Sequence, residues 1–251
     1  MTLSVVILAA GQGTRMKSAL PKVLHRICGQ PMAQYAVDSG RALAGGPPVL
    51  IVGHGGEAVK AALGEQCHYV TQAEQLGTGH AVLQAADLLR ERGGQVLVYY
   101  ADMPLLTADT LKQLNERQRR NSGPLTMLTV LAGDPRGFGR IVRGPDGLVT
   151  AIVEEAQATP EQKAIHELNV GAYCFNAEFL WSELPKIPVS PKGEYYLTDL
   201  IGIAASRGSR VEAVVLDDEE ETIGVNTRVH LAEAEAAMRR RLNRRWMEAG
   251  V

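Results

Sequence analysis

What most limits the folds open to this chain is its alternation of short β-branched runs with longer amphipathic segments. Residues 4–9, 49–52, 96–100 and 125–131 are apolar on both faces, as strands buried between helix layers are. Between them the spacing predicts helices over 32–43, opened by the first-turn proline Pro31, over 57–63, over 79–92, and over 108–120, capped by Thr107. Strand, helix and strand at this interval build an α/β fold with a doubly wound, mostly parallel sheet. The second half changes character. Residues 137–143, 147–153 and 168–175 predict short strands with glycine turns, and helices follow over 177–184 and 197–206. Together they are expected to form a small sheet extension on the substrate side. A last strand over 211–216 precedes a helix from about 227 to 247.

A chain of 251 residues is one large domain with at most a small appendage. With 45% hydrophobic and 22% charged residues it has the composition of a folded globular protein, not of a disordered or fibrous one. Its longest apolar run, residues 5–10, is far short of the roughly 20 residues a membrane span needs. No basic segment precedes that run, so it reads as a strand and not as a signal peptide. Cys28, Cys67 and Cys174 are widely spaced and form no CxxC, which points to a reducing cytoplasm and away from disulfides or thiolate zinc. The histidines show no metal-ligand spacing. A formal charge of -2 gives no whole-molecule attraction to nucleic acid or anionic lipid.

The chemistry starts where the first strand ends, in Leu8-Ala9-Ala10-Gly11-Gln12-Gly13-Thr14-Arg15-Met16, followed by Pro21-Lys22. Small residues at the carboxyl end of a first parallel strand let backbone N–H groups close around an anion, and doubly wound folds bind phosphorylated ligands there. The dinucleotide fingerprint GxGxxG fails because Met16 stands where its third glycine would pack, and the same residue breaks the P-loop pattern. What remains is a glycine turn with two cations, Arg15 and Lys22, suited to a triphosphate. Asp102 lies just beyond the strand 96–100 and faces the same crevice. Mg²⁺ takes one or two protein oxygens together with substrate phosphates, which makes Asp102 a candidate ligand. The acidic run 217–221 predicts a solvated turn. The arginines of 239–241 and 244–245 predict the outer face of a helix whose inner face is Leu231, Ala234, Met238, Leu242 and Trp246.

The turn string, Leu20-Pro21-Lys22 and Gly29-x-Pro31 together resemble the signature of the sugar-phosphate nucleotidyltransferases. The string Thr71-Gln72-Ala73-Glu74-Gln75-Leu76-Gly77-Thr78-Gly79-His80-Ala81 narrows the resemblance to N-acetylglucosamine-1-phosphate uridyltransferases, the amino-terminal half of a bifunctional bacterial enzyme. Further matches follow in order at Gly137-Phe138-Gly139-Arg140, Val153-Glu154, Glu167-Leu168-Asn169, residues 193–199 and Gly224-Val225-Asn226. The resemblance implies a Rossmann-like sheet of the nucleotide-diphospho-sugar transferase type. It implies that UTP and N-acetyl-α-D-glucosamine 1-phosphate give UDP-N-acetylglucosamine and pyrophosphate, for cell-envelope synthesis in the cytoplasm.

Carried over by position, Leu8, Ala9, Ala10, Gly11, Gln72, Gln75, Gly77 and Thr78 surround the uridine, with Tyr100 and Ala101 beside it. Arg15 and Lys22 hold the phosphates and act as the catalytic cations. Asp102 and Asn226 ligate Mg²⁺, Asn226 also contacting substrate. Gly139, Glu154, Asn169, Tyr196 and Thr198 take the sugar; neighbouring strand residues face opposite ways, so only one of Glu154 and Glu155 is expected to face it, and Glu154 holds the motif position. The family usually has Gly where Ala101 stands, so a positive φ there would mean a strained backbone. Two other readings stay open: a relative using another sugar 1-phosphate or nucleotide, and a non-catalytic nucleotide-sugar-binding domain. The matched motifs define a nucleotidyltransferase domain over 1–226 and a carboxy-terminal helix over 227–251. In the family a similar Met-x-Ala-Gly-Val stretch leads into a left-handed β-helix that acetylates glucosamine 1-phosphate and trimerises. No acetyltransferase activity is therefore expected of these residues, and a trimer only where that β-helix is present.

Overall fold

The computed structural model of the chain describes residues 2–251. Its strands and helices follow the alternation of the sequence: β1 (Leu3–Ala9), a two-residue hairpin of β2 (Arg26–Ile27) and β3 (Gln30–Pro31), α1 (Met32–Ala44), β4 (Val49–Val52) and α2 (Gly56–Leu63). Next come β5 (His68–Thr71), α3 (Thr78–Leu83), α4 (Ala86–Leu89), β6 (Gln95–Tyr100), α5 (Ala108–Arg120) and β7 (Leu125–Leu131). The second half holds β8 (Arg140–Arg143), β9 (Val149–Val153), α6 (Pro160–Lys163), β10 (Glu167–Asn176), α7 (Ala177–Glu183), α8 (Asp199–Ser206), β11 (Val211–Leu216) and α9 (Arg228–Glu248).

The main sheet runs β11-β7-β10-β6-β1-β4-β5. All its strands are parallel except β10, which pairs antiparallel with both β6 and β7. Alternation along β1 sends Val6 and Leu8 into one apolar layer and Val5, Ile7 and Ala9 into the other, so the strand is buried on both faces. The first layer is closed by α3, α4, α7 and α8, the second by α1, α2 and α5. A third cluster packs α9, through Ala234, Ala237 and Met238, against Met16, Ile27, Met32 and Val225.

Five readings of the sequence are corrected. The run 168–175 does not lie in a sheet extension: β10 is central, and only the β8–β9 hairpin stands off the main sheet, joined to it through Leu168 opposite Arg140. A strand apolar on both faces does not reveal which neighbours it pairs with. The helix expected over 79–92 is three short pieces. Three-residue backbone bonds from Gln84 to Ala81 and from Ala85 to Val82 tighten it where Ala85 and Ala86 both enter the core. β5 was missed because, as an edge strand paired only with β4, it needs no apolar face and reads His-Tyr-Val-Thr. Trp246 is 53% exposed beneath the Arg245 guanidinium, not on the inner face of α9. The acidic run is also more than a solvated turn. Glu221 is buried, and its carboxylate accepts from Thr107 N and Thr110 Oγ1 at the start of α5, while Asp218 and Glu220 pair with Arg241 and Arg240. No helix among the described residues is long and apolar enough to cross a membrane.

Candidate active site

From β1 the chain builds β4 and β5 on one side, then crosses back to place β6 on the other. The crevice outside the carboxyl ends of β1 and β6 is therefore a topological switch point, where such sheets bind ligands. Two pockets meet there. The first, about 290 Å³, is lined by Leu8, Ala9, Ala10, Gly11, Lys22, Gln72, Gln75, Gly77, Thr78, Tyr100, Asp102 and Tyr196. The second, about 570 Å³, is lined by Arg15, Thr78, Tyr100, Asp102, Gly139, Glu154, Asn169, Tyr196, Thr198 and Asn226. Thr78, Tyr100, Asp102 and Tyr196 border both, so the two form one cleft. Of the residues singled out in the sequence only Ala101 lines neither pocket. It is fully buried, donates its N–H to Leu8 O at 3.0 Å and does not have a positive φ, so alanine stands there without that strain.

In the first pocket, Gln72 Nε2 donates to Gly77 O and lies 3.0 Å from His80 Nδ1. Those contacts engage the amide nitrogen and leave Gln72 Oε1 as an acceptor. Gln75 Nε2 donates to Ala10 O at 2.7 Å and closes the turn that follows β1. Gly77 has φ +96°, and a Cβ there would lie 2.6 Å from Tyr195 O, so no other residue fits. Leu197 N donates to Thr78 Oγ1 at 3.0 Å, which fastens the two loops to each other.

Where the pockets meet, Lys22 Nζ donates to Asp102 Oδ2 at 2.5 Å and to Asn226 Oδ1 at 3.0 Å. Val225 N donates to Asp102 O at 2.8 Å, which fixes the spacing of the two oxygen donors. Two oxygens from distant parts of the chain converging on one ammonium mark a place for a cation. A carboxylate plus one amide oxygen is a donor set that fits Mg²⁺ completed by substrate phosphates and water. Among the described residues no three His, Cys, Asp or Glu side chains group to hold a metal by themselves. Gly13 lies directly against Lys22: a Cβ on it would meet Lys22 Cβ at 2.6 Å. Arg15, exposed in the short helical turn Thr14–Met16, has no hydrogen bond or ion pair among the described residues.

The second pocket is walled by the β8–β9 hairpin and by an irregularity in β10. Burial pushes the Glu154 carboxyl up from its ordinary value and Asp199 adds to this, while a hydrogen bond from Thr198 and the charge of Lys192 pull the other way. β9 ends at Val153, so strand alternation does not reach the next two residues: Glu155, in the turn that follows, lines the same pocket as Glu154 and pairs with Arg140, which is 1% exposed. A Cβ on Gly139 would lie 2.8 Å from Ile152 Cγ2 and 3.8 Å from the Glu154 carboxyl carbon. Asn169 sits at the start of a register shift in β10, its amide bonded to the Tyr173 hydroxyl and its Oδ1 accepting from Gly171 N. Its polar atoms are thus engaged with the protein. Gly171, with φ +86°, allows the strand to pass the Tyr100 ring. Sequence reasoning missed Gly171, Lys192 and Glu194 on the cleft wall. Glu194 lay inside the matched string 193–199, and for Lys192 the signal available was the turn Pro191-Lys192-Gly193 at its edge.

The sequence profile of the MobA-like NTP transferase domain matches residues 5–168. The chain belongs to this family. The transferase is 49% identical over 249 residues to the bifunctional protein GlmU of Heliobacterium modesticaldum, covering 99% of the chain and 54% of that relative. It is 51% identical over 247 residues to the bifunctional protein GlmU of Halalkalibacterium halodurans, covering 98% of the chain and 54% of the relative. The transferase thus spans about half the length of the curated relatives it matches, and the resemblance read from its motifs is borne out. In fold it is similar to a crystal structure described as a glucose-1-phosphate thymidylyltransferase from Bacillus anthracis, with a TM-score of 0.76 at 19% identity. That superposition covers 94% of this chain and 95% of the other.

Proposed function

We propose that the transferase moves UMP from UTP to N-acetyl-α-D-glucosamine 1-phosphate, releasing pyrophosphate and forming UDP-N-acetylglucosamine, in the cytoplasm. The observation that carries this reading is the Lys22–Asp102–Asn226 centre at the junction of two confluent pockets. A nucleotide in the first pocket and a sugar phosphate in the second would bring their phosphates together over it. The relatives named GlmU support the choice of substrates.

In the reaction a phosphate oxygen of the sugar phosphate attacks the α-phosphorus in line. The bond to the bridging oxygen breaks and pyrophosphate leaves with the electron pair. Such transfers need positioning and charge stabilisation more than a protein nucleophile. Gln72 Oε1 and the backbone of the 8–11 turn would read the uracil edge and hold the nucleoside. Arg15 and Lys22 would neutralise the charge that grows on the departing pyrophosphate. Asp102 and Asn226 would hold Mg²⁺, which when bound supplies positive charge against the phosphate oxygens. Glu154, with Thr198 behind it, would accept hydrogen bonds from the sugar. Pyrophosphate release with UTP, N-acetylglucosamine 1-phosphate and Mg²⁺ tests the proposal. Equal turnover of glucose 1-phosphate would replace the acceptor, and no release by a folded chain would favour a binding domain.

A further inference from the structure

The residues that lead into α9 touch three separate parts of the cleft within four positions. Val225 N bonds Asp102 O, Asn226 Oδ1 accepts from Lys22, and Arg228 Nε donates to Met16 O at 3.0 Å. The first two belong to the centre already described. The third does not: Met16 follows Arg15, and Arg228 lines neither pocket.

The turn that Arg228 grips is not held by its own backbone preferences. Gly13 and Lys17, at φ +65° and +48°, bracket the helical turn Thr14–Met16, and the left-handed region is disfavoured for a lysine. Besides its own bonds from Met16 N to Gly13 O and from Lys17 N to Thr14 O, the turn is held from outside. The Met16 side chain, 1% exposed, is packed among Ile223, Val225, Ala234 and Met238, and its carbonyl takes the Arg228 bond. Arg15 itself has no partner to orient it among the described residues, so the direction of its side chain depends on this backbone. Arg228 forms no ion pair among the described residues.

We propose that Arg228 is a positioning residue: from the start of α9 it fixes the phosphate-binding turn so that Arg15 faces the phosphates of the nucleotide. The proposal rests on the nucleotidyltransferase reading of the cleft. The test uses the full chain with Arg228→Gln, Arg228→Lys, Arg15→Ala and the double variant Arg15→Ala/Arg228→Gln. Arg244→Gln, on the exposed far end of α9, is the control. Arg228→Gln should weaken UTP binding about ten-fold, the scale of one charge-assisted hydrogen bond, and leave uridine binding unchanged. Arg228→Lys, which can still reach a carbonyl, should recover part of that loss. In the Arg15→Ala background Arg228→Gln should add almost nothing, because the two residues act as one unit. Equal weakening of UTP and uridine, or the full loss repeated without Arg15, would overturn the proposal.

A second readout is independent of substrate. Trypsin cuts after Arg15 and Lys17, both exposed in this turn, and Arg228→Gln should speed those cuts several-fold relative to Arg244→Gln. An unchanged rate would show that Arg228 does not hold the turn. If the parent chain binds neither UTP nor uridine, the functional reading fails, while the proteolysis arm still decides whether the clamp exists.

Discussion

The two walls of the cleft are built by different means. The nucleotide wall grows from the carboxyl ends of β1 and β6, paired side by side inside the sheet, and its loops are fastened by Ala101 N to Leu8 O, Gln75 to Ala10 O and Leu197 N to Thr78. The sugar wall hangs on a hairpin whose register with the main sheet is one residue pair, Leu168 with Arg140, and whose Ile141, Val149 and Ile152 pack into the first apolar layer. It is braced by side-chain ion pairs, Arg140 with Glu155 and Arg143 with Glu167. The wall assigned to the shared chemistry is thus part of the sheet, and the wall assigned to the acceptor is an appendage. Acceptor preference can change on such an appendage without disturbing the strands beneath.

The comparison can be broken at its junction first. Asp102→Ala should lower pyrophosphate release by at least about 10²-fold, the scale of removing a group that stabilises developing charge. Near-ultraviolet circular dichroism should stay that of the parent, and full activity would remove Asp102 from the metal site. Next, Gly77→Ala should raise KM for UTP and leave KM for the sugar phosphate alone. A positive φ and a Cβ 2.6 Å from backbone together cost about 1–3 kcal/mol. Gly139→Ala is the mirror test, raising KM for the sugar phosphate only. Its effect should be smaller, about 1 kcal/mol, because the Ile152 methyl it meets can rotate away. If either variant moved both constants equally, the walls would not be separable.

The smallest effect concerns stability. Burial raises the Glu154 carboxyl in the folded state, so the folded chain binds more protons than the unfolded chain between the ordinary and raised values. Ionised Glu154 therefore costs stability above that window and costs nothing below it. Glu154→Gln should melt higher than the parent at pH 7 to 8, and the gain should shrink as the pH falls through the carboxylate range. A gain that grows in acid would contradict the sign.

Much of the nucleotide wall was legible because each element states its role locally. Small residues after β1 and a carboxylate just beyond β6 both sit at strand ends, while Gly77, at the start of α3, came from a matched string. The convergence of Lys22, Asp102 and Asn226 came from matched strings, since 204 positions separate Lys22 from Asn226 and no periodicity spans that distance. The sugar wall was less legible. Glu154 was singled out by its motif position, strand alternation does not apply because β9 ends at Val153, and nothing local shows that Arg140 is buried or that Asn169 spends its amide on Tyr173. The acidic run 217–221 and the arginines 239–241 were each readable as surface charge. Only the packing of α9 brings them together, as Arg240 with Glu220 and Arg241 with Asp218.

The placement of β10 bears on how the chain must be made. By residue 102 a ribosome has supplied β1, β6 and Asp102, yet β6 has a partner on one side only until residues 167–176 arrive. Until then β7 has nothing to join, and the free edge of β6 is a row of unpaired backbone groups in an apolar strand, open to pairing with another chain. A fragment ending at residue 168, where the family match stops, would keep that edge open, so a boundary drawn by similarity cuts through the middle of the sheet.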